Sequence, residues 1–162
     1  MNKEEVKKID LGCGPWKKKG FYGIDLREEW LIPNEQALKN DADLYHDLNK
    51  GIPFPDNQIE EIYCSHFLEH INNPYMLLDE CYRVCKNKAI IEIKVPLLSI
   101  FPPDHITMFY DGWFERNIRL EGAYFENRFK IVDSKTILKE FEDYSKVKNS
   151  VWEQTIKLEV IK

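Results

Sequence analysis

Residues 66–70 read His-Phe-Leu-Glu-His. Two histidines and a glutamate at that spacing can bind a metal ion and activate its water when one helix carries both rings a turn apart. A second constellation lies upstream. Gly12, Cys13 and Gly14 close one apolar run, and Asp25, eleven residues after Gly14, closes the next. Glycines there let a backbone approach a ligand closely. A carboxylate at a strand end can accept two hydrogen bonds from a ribose diol. The residue types thus offer metal-assisted hydrolysis or nucleoside binding. The bland alternatives are a tight turn for the glycines and an ordinary exposed carboxylate for Asp25.

The elements that must position these residues decide between them. Runs at 6–11, 20–26, 42–48, 59–65 and 88–96 predict five strands, with a Pro- and Asn-rich loop at 51–58. Between the last two strands the sequence predicts a helix. Asn73 caps it, Pro74 suits its first position, and Leu77, Cys81, Val84 and Cys85 recur at helical spacing. Residues 129–132 and 155–162 predict two more strands, separated by a helix that Asp133 or Ser134 caps and that carries Ile137, Leu138 and Phe141.

Strands alternating with helices imply an α/β fold with a mostly parallel sheet, whose ligands bind beyond the carboxyl ends where the strand order reverses. Gly12 to Gly14, Asp25 and the pair Ser65-His66 all stand at such ends. The string at 66–70 follows a strand, and Pro74 comes soon after His70, so any helix there is short. That argues against the zinc peptidase arrangement, and no metal is expected. Residues 15–24 leave no room for a helix between the first two strands, so the first crossover is a loop. Without a helix start after the glycines the usual phosphate cradle is missing, and the site suits a nucleoside lacking a pyrophosphate better than NAD.

At 162 residues, 43% of them hydrophobic, the chain reads as a single domain spanning 1–162. Its charged start is unlike a signal peptide, and no run is long and apolar enough for a bilayer, so a cytoplasmic location is expected. The net charge of −5 argues against a nucleic-acid partner, although Lys17, Lys18 and Lys19 form a local basic run. Cys13, Cys64, Cys81 and Cys85 lack metal-ligand spacing and read as reduced thiols.

The stretches IDLGCG, GIDL, HDLNKGIPFPDNQIEEIYCSHFLEHI and YRVCKNKAIIEIKVP resemble, in order and spacing, the class I S-adenosylmethionine-dependent methyltransferases. The likeness spans about residues 6–110 and points to a small branch with an abbreviated first crossover. It implies a Rossmann-like fold with a seven-stranded type of sheet, and S-adenosylmethionine as cofactor with S-adenosylhomocysteine as product. By the same resemblance, Gly12, Cys13 and Gly14 line the methionine moiety. Asp25 holds the ribose hydroxyls, Leu26 lies against the adenine, Asp47 and Leu48 meet the adenine amino group and ring, and Ser65 and His66 border the sulfonium and the acceptor. Pro15-Trp16 replaces the family's third glycine, which bears on the cofactor pocket. Lys86-Asn87-Lys88-Ala89 replaces its lysine-proline-glycine-glycine turn.

Methyl transfer needs a base only when the acceptor must lose a proton. His66 and His105 are the candidate bases, with Glu69 beside them. His70 reads as a cap or a satisfied polar group. His105 alternatively packs against Phe101, Phe109 and Trp113, which read either as core or as an acceptor wall. Glu115, Arg116, Arg119 and Arg128 read as a solvated connection or as contacts to an acidic acceptor. The expected acceptor is a small molecule bearing a hydroxyl or amine, such as a sugar. A non-catalytic cofactor-binding or partner protein of the same fold is the alternative, and a zinc hydrolase a lesser one. The oligomeric state is not legible in the sequence.

Overall fold

Short apolar runs separated by turn residues fold here into a main sheet of seven strands, in a computed structural model that describes residues 3–26, 29–30, 38–97, 105–142 and 148–162. In chain order the elements are β1 (Lys8–Leu11), β2 (Tyr22–Asp25), β3 (Glu29–Trp30), β4 (Leu38–Lys39), β5 (Leu44–Tyr45) and β6 (Ile59–Ser65). Then follow α1 (Pro74–Val84), β7 (Cys85–Leu97), α2 (Trp113–Ile118), β8 (Phe129–Glu142) and β9 (Lys148–Val160). Seven strands form the main sheet in the order β5-β2-β1-β6-β7-β9-β8, while β3 and β4 pair separately. The contacts from β5 through β7 are parallel, and β9 runs antiparallel to both β7 and β8.

The order reverses at β1, which has β2 on one side and β6 on the other. Ile9, Asp10 and Leu11 of β1 are all buried, as a strand covered on both faces requires. α1 starts where the sequence places it. Asn73 accepts hydrogen bonds from Tyr75 N at 3.1 Å and Met76 N at 3.2 Å, and Pro74 needs no partner for its nitrogen. The helix buries Leu77, Leu78, Cys81 and Val84 in the core. Arg83 at its end donates to the carbonyls of Ile52 (2.9 Å) and Phe54 (3.0 Å), fastening the Pro-rich loop. No helix among the described residues is long and apolar enough to cross a membrane.

Some expectations need correction. The helix proposed after Asp133 is instead the continuation of β8, paired with β9 from Phe129 to Glu142. Leu138 is 49% exposed, so the apolar pattern there buries no helical face, and the adjacent antiparallel strand satisfies the backbone directly. The third strand shrinks to Leu44 and Tyr45, followed by a 3-10 turn at Leu48–Lys50. Cys85 opens β7 rather than closing α1, and the expected turn at 86–89 is a register shift within β7, with Lys88 at φ 66°. All four cysteines are free and buried. Residues 115–128 contain the end of α2, and Arg128 pairs with Asp79 on α1. Phe109, Phe114 and Phe125 are fully buried, and Trp113 nearly so, which makes these aromatics core rather than acceptor wall. Phe101 lies outside the described residues.

Candidate active site

Between β1 and β2 stands only a 3-10 turn, Gly14–Trp16. The chain leaves β1 through Gly12 at φ +65°, a conformation that costs a side-chain-bearing residue energy. A Cβ on Gly12 would also lie 2.0 Å from the Phe67 ring. Gly12 N donates to Ile24 O at 2.9 Å, tying the turn to β2.

Asp25, only 5% exposed, holds the rest of this turn: its Oδ2 accepts from Gly14 N at 2.8 Å and its Oδ1 from Leu26 N at 2.7 Å. A carboxylate oxygen can accept more than one bond, so both atoms keep capacity for a ligand. Asp10 sits behind the turn and accepts from Lys18 N at 2.7 Å. Burial pushes its carboxyl up to about 6. Lys17 bonds Asp43 at 3.0 Å and Lys18 reaches Glu92 at 3.4 Å, so two of the three clustered lysines are ion-paired.

A cavity of about 220 Å³ opens at the carboxyl ends of β1, β2, β5 and β6. Gly12, Asp25, Leu26, Asp47, Leu48 and His66 line it, as do His46, Asn49, Phe67, His70, Ile71 and Ile106. Cys13, Gly14 and Ser65 do not. Cys13 turns inward, its Sγ 3.8 Å from Asn40 Oδ1, and burial pushes the thiol up to about 12. Gly14 acts through its N–H on Asp25, and Ser65 ends β6 paired with Lys94 of β7. Asp47 caps the 3-10 turn by accepting from Asn49 N at 3.0 Å, a bond that lowers its pKa.

His66 occupies the left-handed region at φ 50°, uncommon for a residue with a side chain, and is held there by its N–H donating to Lys94 O at 2.9 Å. Its Nε2 lies 2.6 Å from Glu153 Oε2, and its Nδ1 lies 3.6 Å from Glu69 Oε1. The Glu69 carboxylate first, with Glu153 adding to it, holds the imidazolium above its usual pKa, although burial opposes them.

Glu69 and His70 belong to a 3-10 turn, Leu68–His70, so the string at 66–70 does not form the helix a zinc peptidase needs. Glu69 is 1% exposed. Its carbonyl accepts from Ile106 N at 2.8 Å and Thr107 N at 3.0 Å, which brings His105 against His70 with ring centroids 4.9 Å apart. The structure therefore brings His66, Glu69 and His105 near one another, with His66 and His70 lining the cavity. It adds Glu153, which sequence reasoning missed. Its signal was an acid just before the apolar alternation of the last strand, but that strand was expected to begin only at residue 155.

A family model for a methyltransferase domain matches residues 9–93. The chain is similar to the mitochondrial ubiquinone biosynthesis O-methyltransferase of Saccharomyces cerevisiae, 27% identical over 155 residues, 86% of this chain and 48% of that protein. It thus spans about half the length of this curated relative. A solved S-adenosylmethionine-dependent methyltransferase from Methanosarcina mazei superposes with a TM-score of 0.62 at 15% identity, covering 98% of this chain and 93% of that one. Another from Thermotoga maritima gives 0.63 at 13% identity, covering 96% and 83%.

Proposed function

The chain belongs to the class I S-adenosylmethionine-dependent methyltransferase family, and from that premise we propose that it methylates a small polar acceptor through a hydroxyl, with His66 taking the proton. The observation that carries this reading is the place of His66, which borders the cavity beyond β6 with a carboxylate 2.6 Å from its Nε2.

The donor set fits S-adenosylmethionine. Asp25 offers a buried carboxylate at the end of β2 for two ribose hydroxyls, Leu26 and Leu48 offer apolar surface for adenine, and Asp47 offers an acceptor for an amino group. Gly12 leaves the backbone bare, and the absence of a helix start after it matches a cofactor without a pyrophosphate. When bound, that cofactor supplies a methyl group on a positive sulfonium sulfur. The residues of the chain must then orient the acceptor for in-line attack and accept its proton as the new bond to carbon forms.

His66 and His105 are the candidate bases, and the place of His66 in the cavity lining supports His66. A hydroxyl acceptor, such as that of a sugar, fits a site with a base. The yeast relative is named an O-methyltransferase, which supports the same choice. An amine acceptor, already nucleophilic when neutral, needs His66 less. Purified protein incubated with S-adenosylmethionine and a panel of small alcohols, sugars, phenols and amines should release S-adenosylhomocysteine with one acceptor class. His66→Ala should then lower kcat by about 10²-fold or more while S-adenosylhomocysteine affinity changes by less than about threefold. An unchanged kcat would refute the base. Binding of S-adenosylhomocysteine with no turnover on any acceptor would favour a non-catalytic cofactor-binding protein.

A further inference from the structure

We propose that Glu69, His70 and His105 form a site for one divalent transition-metal ion, with zinc as the best match. One ligand atom from each of the three lies within 4.8 Å of the other two. Glu69 is 1% exposed, and neither carboxylate oxygen makes a hydrogen bond among the described residues. His66 Nδ1 lies 3.6 Å from Glu69 Oε1, an ion-pair contact longer than a hydrogen bond. A buried carboxylate with no hydrogen bond and one loose ion-pair contact is costly, and a cation is the direct way to satisfy it.

The arrangement is built rather than incidental. The 3-10 turn presents Glu69 and His70 from adjacent positions, and the two N–H groups of Ile106 and Thr107 on the Glu69 carbonyl hold His105 beside them. In a tetrahedral zinc site with bonds of about 2.0–2.1 Å, ligand atoms lie about 3.3 Å apart. The three groups would close by up to about 1.5 Å to reach it, within the range of side-chain rotation. Two imidazoles and one carboxylate favour zinc, or another late first-row ion, over magnesium.

Three protein ligands leave a coordination position open, the pattern of a working rather than a structural zinc site. His70 and Ile106 both line the cavity, so the ion would stand at its wall. That position is fitted to bind an oxygen of the acceptor, and this last point rests on the methyl-transfer reading while the metal site itself does not. The site uses the second half of the His-x-x-Glu-His string and omits His66, unlike a zinc peptidase. It also replaces the expectation of no metal.

The test is calorimetric titration of zinc chloride into the chelator-stripped chain, with S-adenosylhomocysteine titrated separately. The expected result is one zinc per chain, weakened at least about tenfold by Glu69→Gln and by His105→Ala but less than about threefold by His66→Ala. Because Glu69→Gln alters a buried group, unmodified protein is also loaded with cobalt. Visible absorption of a four- or five-coordinate ion, lost in His105→Ala, is expected. No stoichiometric uptake of either ion overturns the site, as does uptake that Glu69→Gln and His105→Ala leave intact or that His66→Ala abolishes. Zinc uptake without S-adenosylhomocysteine binding would uphold the metal and sink the methyl-transfer reading. The reverse pattern would sink the metal alone.

Discussion

An alanine at position 12 probes the turn on which the cofactor pocket depends. Two separate costs are expected. The backbone stands at φ +65°, where a side-chain-bearing residue loses about 1–2 kcal/mol. The new Cβ would also sit 2.0 Å from the Phe67 ring, which must move, and overpacking of that kind costs about 1–3 kcal/mol. Gly12→Ala should therefore destabilise by about 2–5 kcal/mol in total. The two parts can be separated because only the second involves Phe67. In a Phe67→Ala background the same substitution should cost only about 1–2 kcal/mol, the backbone part. Denaturant unfolding of the four proteins, read at constant slope, measures the coupling. Equal losses in both backgrounds would refute the contact between Phe67 and Gly12 as the reason for glycine here.

Asp10 gives a pH prediction. Its folded pKa of about 6 lies above the ordinary 3.8, so its protonated form stabilises the fold fully below pH 3.8 and that contribution is lost as pH rises through 6. The loss at pH 7 is about 3 kcal/mol, and Asp10→Asn, which can still accept from Lys18 N, should remove it when unfolding free energies of the two proteins are compared from pH 4 to 7. A parallel pH dependence in both would exclude the burial of Asp10 as its source. Asn73→Ala should cost about 1 kcal/mol through loss of the cap on α1, seen as a fall of about 2–4 °C in Tm. A Tm unchanged within 1 °C, roughly the resolution of such a scan, would mean that solvent replaces the cap.

The parts of the fold that sequence revealed are those with local physical causes. Asn73 and Pro74 fix the start of α1, and the glycines after β1 end that strand, whatever else the chain does. The Asp25 position followed from its place at the end of β2. What escaped was set by partners distant in sequence. Residues 133–142 read as helical because three apolar residues fell at suitable spacing, yet the neighbouring β9 offers a ladder that no local pattern announces. Glu153 reaches His66 only because β9 lies beside β7, and His105 meets His70 only through backbone bonds to Glu69. The contact of Cys13 Sγ with Asn40 Oδ1, 27 residues away, is likewise set by the fold and not by local sequence.

Calorimetric titration of S-adenosylhomocysteine into the full chain, with Asp25→Ala as control, bears most directly on the cofactor pocket. Micromolar binding at one site per chain, weakened at least tenfold or about 1.4 kcal/mol by the substitution, is the predicted result. No detectable binding, or binding that Asp25→Ala leaves unchanged, would contradict it.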